Sequence, residues 1–482
     1  MSDVSATLSA PGAPARTADL FAPGLRGLTV GLLATITLAA LESLAIGTVM
    51  PIVADELGDL PLYGWVFTAF FLGSLVGIVM TGGVLDRMPL HRPFAAGLLL
   101  FGLGLLLGGL APSMPVLIAA RFLQGLGAGS LTPTAYVAIG RCLPEHLQPR
   151  MFALLSTAWV VPGIIGPSIA ALVGELADWR WVFLGLVPLL VLAGGLALNA
   201  LRHVPEAMHP PAVTDPARAA DLRRLGTALV AAVGAGLLVA GLGATDPILF
   251  VAGSVAGAAL LVPAFRRLTP PGTLLLARGV PAAVLLRGLM TFSFFSADAY
   301  IPLLLQTWLG TPATLTGIVF TVTTIAWTAG TWFQARRIDR LGPHRFVAAG
   351  FALIVVGVFL TMPAILGGAP PEITVVTWII PGLGMGLMYS AVTLVVLRGV
   401  EGREQGSASS SLQLSDILGT ALGAGVAGAI TAAGVRSGPD GLGPALVAVF
   451  AVAGLAAALG VLASGRVGTF GTVQGGEQAA VD

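Results

Sequence analysis

The chain has 482 residues, 56% of them hydrophobic and 10% charged, with a net charge of +1 and a mean hydropathy of +0.93. Soluble domains carry about a quarter of their residues as charges, so the composition excludes one and marks an all-α polytopic membrane protein. Its apolar runs reach 20 residues or more, the length of a spanning helix and not of a barrel strand, which is about ten residues of alternating pattern.

Residues 1–25 are rich in Ala, Pro and Ser and have no apolar core after a basic start. They predict a disordered cytosolic tail and no signal peptide. Apolar segments at 27–54, 63–85, 93–111, 115–140, 151–175 and 181–201 then define a first six-helix bundle over 26–201. The polar stretch 202–224, with His203, Pro210, Pro211 and Asp215, reads as a cytosolic loop. Two shorter segments, 225–243 and 248–265, predict an inserted helical pair over 225–265 that turns at Asp246, followed by a linker at 266–279. Segments at 280–307, 313–335, 345–364, 373–400, 405–434 and 441–465 make a second six-helix bundle over 280–466, and 467–482 is a tail.

A loop that occurs twice supports the two-bundle reading. Asp86-Arg87-Met-Pro89-Leu-His91-Arg92 recurs as Asp339-Arg340-Leu-Gly-Pro-His344-Arg345, 253 residues later. Both copies follow one long apolar run and begin another. That offset exceeds six spans and their loops by about two helices of roughly 20 to 28 residues, which accounts for the inserted pair.

Fourteen spans place both termini on one side. With the N-terminus inside, nineteen arginines fall on the cytosolic side, and only Arg180 and Arg436 fall outside. This is the asymmetry of an inner-membrane protein with both termini in the cytosol. Tyr63, Trp65, Trp179, Trp181 and Trp308 lie at predicted outer ends, where an aromatic belt belongs.

An ionisable group inside the hydrocarbon costs at least a few kcal/mol and so needs a partner or a function. Glu42, Arg121, Asp298 and Asp416 qualify. Glu42 is about 22 Å along its helix at 1.5 Å per residue, beyond snorkelling reach. By the repeat offset Asp298 corresponds to Ala45, one turn beyond Glu42, so each bundle is expected to bring one carboxylate near a common cavity. Such acids can load and release protons, tuned by Arg121; the alternative is a carboxylate that only hydrogen-bonds a neighbouring helix. Asp416, beside Gln413 and Gly419-Thr420, can equally mark a packing seam. Arg287 and Arg398 lie nearer cytosolic ends and can simply extend their heads to the interface.

Leu117-Ile-Ala-Ala-Arg121-Phe-Leu-Gln124-Gly125-Leu-Gly127-Ala-Gly129 resembles the fourth-helix motif of the major facilitator superfamily. Gly82-Gly-Val-Leu-Asp86-Arg87 with His91-Arg92 resembles its cytosolic loop motif, and Gly163-Ile-Ile-Gly166-Pro167-Ser-Ile-Ala170-Ala171 the fifth-helix signature of drug:proton antiporters. The departures are Pro89 for the usual loop glycine, Ala170 and Ala171 for two glycines, and Glu42 where many fourteen-helix relatives carry Asp. The resemblance covers about residues 26–466 and implies two pseudo-symmetric bundles that rock about a midplane site.

Physical reasoning attaches a role to each motif. Asp86, Arg87, Arg92, Asp339, Arg340 and Arg345 are read as a conformational latch between bundles, since a carboxylate is stabilised by helix N-termini and by Arg. Gly125, Gly129, Gly163 and Gly166 permit close helix approach, and Pro167 permits a bend. Tyr136, Trp159, Phe294, Phe295, Tyr300, Trp327, Trp378 and Tyr389 are candidate cavity contacts, suited to lipophilic or cationic ligands.

The expected function is proton-coupled export of small lipophilic compounds, with lipid or metabolite transport, proton:solute symport and a non-transporting receptor or scaffold as alternatives. The expected partners are a small lipophilic substrate, protons and the lipid bilayer, with no nucleic acid, and the chain is expected to act as a monomer. No catalytic or metal-binding motif is found: there is no nucleotide loop, and His91, His146, His203, His209 and His344 all lie at predicted cytosolic positions. Cys142 is the only cysteine, which excludes an intramolecular disulfide and a cysteine-based metal site. No cofactor is expected; an ion gradient is the expected driving force.

Overall fold

The computed structural model describes residues 17–85, 88–144, 146–203, 215–400 and 405–468. Within them, fourteen helices are long and apolar enough to cross a membrane. They are α1 (Arg26–Leu57), α2 (Leu60–Leu85), α3 (His91–Gly109), α4 (Met114–Cys142), α5 (Arg150–Leu176), α6 (Arg180–Arg202), α7 (Leu222–Leu242), α8 (Pro247–Leu268), α9 (Val280–Trp308), α10 (Ala313–Leu341), α11 (Pro343–Ile365), α12 (Ile373–Arg398), α13 (Gln405–Arg436) and α14 (Pro439–Val467). The protein is a multi-pass membrane protein. An even number of crossings puts both ends of the described chain on one face, called here the termini face.

α1–α6 and α9–α14 pack as two bundles with the same internal neighbours. The first helix of each contacts the sixth, the third contacts the fourth, and the second lies closely along the fourth. Glycine sets the last contact. Side chains at Gly73, Gly77, Gly125 and Gly129 would run into the facing backbone of α2 or α4, as would side chains at Gly330, Gly382 and Gly386 between α10 and α12. Backbones approach this closely because, in lipid, packing and not apolar transfer drives helix association.

The bundles meet along two seams related by the same pseudo-symmetry, α2 against α13 and α5 against α10. The inserted pair α7–α8 lies outside the first seam. Ala228, Ala231 and Ala235 of α7 and Leu261 and Ala264 of α8 join Leu72, Leu75 and Val76 of α2 and Leu414 and Leu418 of α13 in a second apolar cluster. Asp246 caps α8 by accepting from the Ile248 and Leu249 amides at 2.8 and 3.0 Å.

Two expected boundaries are corrected. The helix of the inserted pair begins at Asp215, so residues 215–224 are not loop; Asp215-Pro216 supplies the cap-and-proline start that favours a helix. The expected disordered tail also ends earlier than residue 25. Thr17–Phe21 forms a 3-10 turn with Leu20 fully buried, and the Thr29 hydroxyl donates to the Leu20 carbonyl at 2.8 Å. The apolar pair Leu20-Phe21 in an otherwise small and polar stretch was the signal for it. After Asp298, α9 finishes with a π-helical turn at Leu303–Trp308, the kind of local widening that recurs at functional sites.

Candidate functional site

Among the described residues, charged groups away from the ends of the spanning helices occupy three places. Glu42 of α1 is fully buried and pairs with Nη1 of Arg121 on α4. Arg121 Nη1 also donates to Gln124 Oε1 at 3.0 Å, Arg121 Nε donates to the Val66 carbonyl at 3.4 Å, and its guanidinium lies 4.3 Å from the Phe70 ring centre. The second carboxylate oxygen of Glu42 is buried without a hydrogen-bond partner. Arg121 is thus held on several sides, and Glu42 is only half satisfied.

In the second bundle, Asp298 of α9 accepts from the Trp378 indole of α12 at 2.9 Å. Among the described residues no cation lies within ion-pair distance of it. The repeat offset carries Glu42 to residue 295 and Arg121 to residue 374, so Asp298 and Trp378 each lie about one turn beyond their counterparts. Each bundle therefore binds a carboxylate on its first helix to a donor on its fourth. The first donor is a cation and the second a neutral indole.

The third place corrects an expectation. Arg287 does not extend to the interface. It is buried in α9 and makes a two-pronged bond to Asp416 of α13, at 3.0 Å through Nε and 3.2 Å through Nη2. Nη1 donates to the Tyr389 carbonyl and the Thr393 hydroxyl, at 2.9 and 3.2 Å. The guanidinium sits 3.2 Å from the centre of the Tyr389 ring, whose hydroxyl donates to Asp416 at 2.9 Å. Helix-end proximity alone suggested snorkelling; a carboxylate on another helix overrides it, because a paired guanidinium keeps its hydrogen bonds inside the protein. Beside Asp416, Gly419 and Gly288 bring α13 and α9 into backbone contact.

Removing one partner of a buried pair strands the other charge, at about 3–5 kcal/mol, whereas an apolar pair of similar volume is often tolerated. Asp416→Ala is therefore expected to lower the thermal midpoint of the purified protein strongly, and Arg287→Met combined with Asp416→Leu to recover much of the loss. A double variant as unstable as the single one would show that the two charges are not energetically coupled.

The candidate aromatic residues divide into three groups. Phe294, Phe295, Trp327, Trp378 and Tyr389 form one continuous array, with ring centres 5.1 to 6.2 Å apart along Phe295–Phe294–Trp378 and Phe294–Trp327–Tyr389. This array ends on the two acids, since Trp378 binds Asp298 and Tyr389 binds Asp416. Tyr136 and Trp159 belong to the first bundle and are exposed, with Tyr136 against Phe152. Tyr300 lies in the α2–α13 seam and not on an open wall: it is fully buried and its hydroxyl donates to the Ala424 carbonyl at 3.2 Å.

That seam is closed in the half away from the termini. Tyr63 donates to the Ala299 carbonyl at 3.1 Å and packs its ring, tilted by 50°, with its centre 5.3 Å from that of Tyr300, and Thr68 donates to the Ala421 carbonyl at 3.2 Å. Gly64 and Gly428 meet backbone to backbone. On the other seam, Thr321 donates to the Ile164 carbonyl at 2.7 Å, Ser168 and Thr321 hydroxyls lie 3.2 Å apart, Gly163 faces Thr324, and the Pro167 carbonyl faces Gly317. Gly166 packs on Leu41 of α1. Gln306, in the π-helical turn, bridges to the Thr48 carbonyl at 2.8 Å. Sequence reasoning found Gly163 and Pro167 but missed Gly64, Gly317 and Gly428.

The latch residues are only partly within the described chain. Asp86 and Arg87 lie outside the described residues. Arg92, Arg340 and Arg345 are exposed. Asp339 binds Arg398 at 3.0 Å, an exposed pair within its own bundle and not across to the other one. Arg141 makes the matching contact in the first bundle, from the end of α4 to the Leu85 carbonyl at the end of α2, at 3.0 Å.

Comparison with known proteins agrees with this architecture. Residues 32–283 match the sequence model of the Major Facilitator Superfamily. A probable multidrug-efflux transporter of Mycobacterium tuberculosis is 27% identical over 454 residues, spanning 91% of this chain and 93% of the relative. The multidrug transporter MdtP of Bacillus subtilis is 25% identical over 421 residues, 85% of this chain and 76% of the relative. Among solved structures, a bacterial homologue of the human lysosomal transporter Spinster, in an inward-facing and unoccupied conformation, superposes with a TM-score of 0.65 at 16% identity, over 92% of this chain and 98% of that one. A D-xylose–proton symporter superposes with a TM-score of 0.62 at 14% identity, over 92% and 98%.

Proposed function

Because the chain belongs to the Major Facilitator Superfamily, we propose that it is a proton-coupled secondary transporter that exports small lipophilic or cationic compounds by alternating access. The observation that carries the reading is Glu42: a fully buried carboxylate with one oxygen bound to Arg121 and the other without a partner. Protonation of Glu42 removes its charge attraction for Arg121 and leaves only a neutral carbonyl acceptor, so that the cation rests chiefly on Gln124, the Val66 carbonyl and the Phe70 face. Deprotonation rebuilds the pair. The α1–α4 contact thus has two arrangements, and a substrate that favours one of them is linked to the proton.

The arginine asymmetry supports a termini face in the cytosol of a bacterial inner membrane. On that orientation, closure of the opposite half of both seams makes this the state that faces the cytosol. The aromatic array from Phe295 to Tyr389 suits flat and cationic substrates, and the relatives named for multidrug efflux support that class. In this scheme the proton gradient alone drives transport, Asp298 is the second protonation site, and the chain works as a monomer.

The test is proton release from purified protein in weak buffer when lipophilic cations are added. Wild type is expected to release protons on binding, and Asp298→Asn to bind with less release. Binding without release in either would mean that substrate and proton do not compete, and would turn the reading towards a facilitator. Proton uptake on binding would indicate symport.

A further inference from the structure

On the termini side of the α5–α10 contact, α10 lines an open groove of about 560 Å³ with Ile164 of α5 as its opposite wall, within the span of ligand pockets, about 300–1,000 Å³. Ile325, Ala329, Trp332 and Arg336 recur along α10 at helical spacing, with Phe333 and Arg337 beside them. This is a different face of α10 from the one that carries Trp327 to Phe294 and Gly330 to α12. Trp332 is 63% exposed, and Ile325 and Phe333 are each 50% exposed. No neighbouring helix covers these side chains, which leaves the surface available to lipid.

The chemistry of the groove changes along its length. α10 has 29 residues, about 43 Å at 1.5 Å per residue against a hydrocarbon core of about 30 Å. Its last turns therefore lie among headgroups, and Arg336 and Arg337 belong to them. Their guanidinium groups lie over the Trp332 and Phe333 rings, each 5.6 Å from the ring centre. Among the described residues no carboxylate lies within ion-pair distance of either. Two adjacent guanidinium forks without acidic partners, resting on aromatic planes above an apolar floor, match a phosphodiester with acyl chains attached.

We propose that this groove binds an anionic phospholipid of the leaflet on the termini side, with its phosphate on Arg336 and Arg337 and its chain along Ile325 and Ile164. One wall belongs to each bundle, so the lipid bridges a seam that has to move for access to alternate. Anionic lipid is thereby a regulator of the cycle as well as surroundings.

The experiment titrates delipidated full-length protein in detergent with dioleoylphosphatidylglycerol or dioleoylphosphatidylcholine and counts bound lipid by native mass spectrometry. Wild type is expected to retain phosphatidylglycerol in preference to phosphatidylcholine. Arg336→Gln with Arg337→Gln is expected to weaken that retention roughly fivefold per arginine, or about twenty-five-fold in all. Arg266→Gln with Arg267→Gln, which removes the same charge from the end of α8, should leave it unchanged. Equal retention of both lipids by wild type, or equal losses in the two double variants, would overturn the proposal, as would full displacement by inorganic phosphate, which would mark a small-anion site. Should the groove double variant not fold, Arg337→Gln alone is read; retention unchanged from wild type would count equally against it.

Discussion

Gly64→Leu is expected to abolish transport while leaving a folded, membrane-inserted protein. A Cβ at residue 64 would lie 2.6 Å from the Tyr300 hydroxyl, 2.7 Å from the Gly428 Cα and 2.9 Å from the Ala424 carbonyl oxygen. Two of these three are backbone atoms, which cannot rotate away. α2 and α13 must therefore separate, and the Tyr63–Ala299 and Thr68–Ala421 hydrogen bonds across the same seam separate with them. Overpacking costs about 1–3 kcal/mol, which is enough to shift a two-state equilibrium by about 5- to 150-fold. The cost falls only on the state closed at this face, so the protein accumulates in the opposite state. The readout is labelling of Thr68→Cys, in a chain whose Cys142 has been replaced by Ser, with a membrane-impermeant maleimide applied to the face away from the termini. Thr68 is fully buried in the closed seam, so its reactivity should rise with the Leu substitution. Gly140→Leu, where an added Cβ meets nothing within 4 Å, serves as the neutral comparison. Normal transport by Gly64→Leu would mean that closure of this seam is not a step in the cycle.

Glu42→Gln has the second large effect. Glutamine keeps an oxygen acceptor for Arg121, so the helix contact survives in part, and Arg121 retains Gln124 and the Phe70 face. What is lost is the ability to change charge. Proton-driven accumulation of substrate in proteoliposomes should fall to the level of empty vesicles, because no proton crosses at this site. Substrate counterflow, which exchanges one molecule for another at fixed protonation, should persist in part. Glu42→Ala differs in kind: it strands Arg121, 1% exposed, at about 3–5 kcal/mol, and should unfold at lower temperature and lose both activities. A Gln variant that loses counterflow as completely as proton-driven uptake would make Glu42 a structural residue.

How far the chain could be read in advance depends on the kind of information each feature needs. Arg121 and Glu42 stand out by themselves, since a charge in a long apolar run is anomalous wherever its partner lies. Arg287 is equally anomalous, but its helix has two ways to satisfy it, and depth alone favoured the wrong one. The partner that decides the matter, Asp416, is 129 positions away on α13. Gly64 and Gly428 carry no mark at all among 65 glycines; a glycine says that backbones can touch and not which ones do. Asp339 was identified as a candidate latch residue, yet its partner, Arg398, proved to be in its own bundle.

What the sequence determined by itself is therefore what is local or periodic: fourteen apolar spans, a loop repeated at 253 residues, and acids and arginines where lipid would penalise them. These follow from hydropathy and helix rise, which act over one helix at a time. Only the tertiary structure decided which charges meet, which face of each helix is turned inward, and at which glycines the bundles touch. Those outcomes depend on how helices far apart in the chain rotate and tilt against one another.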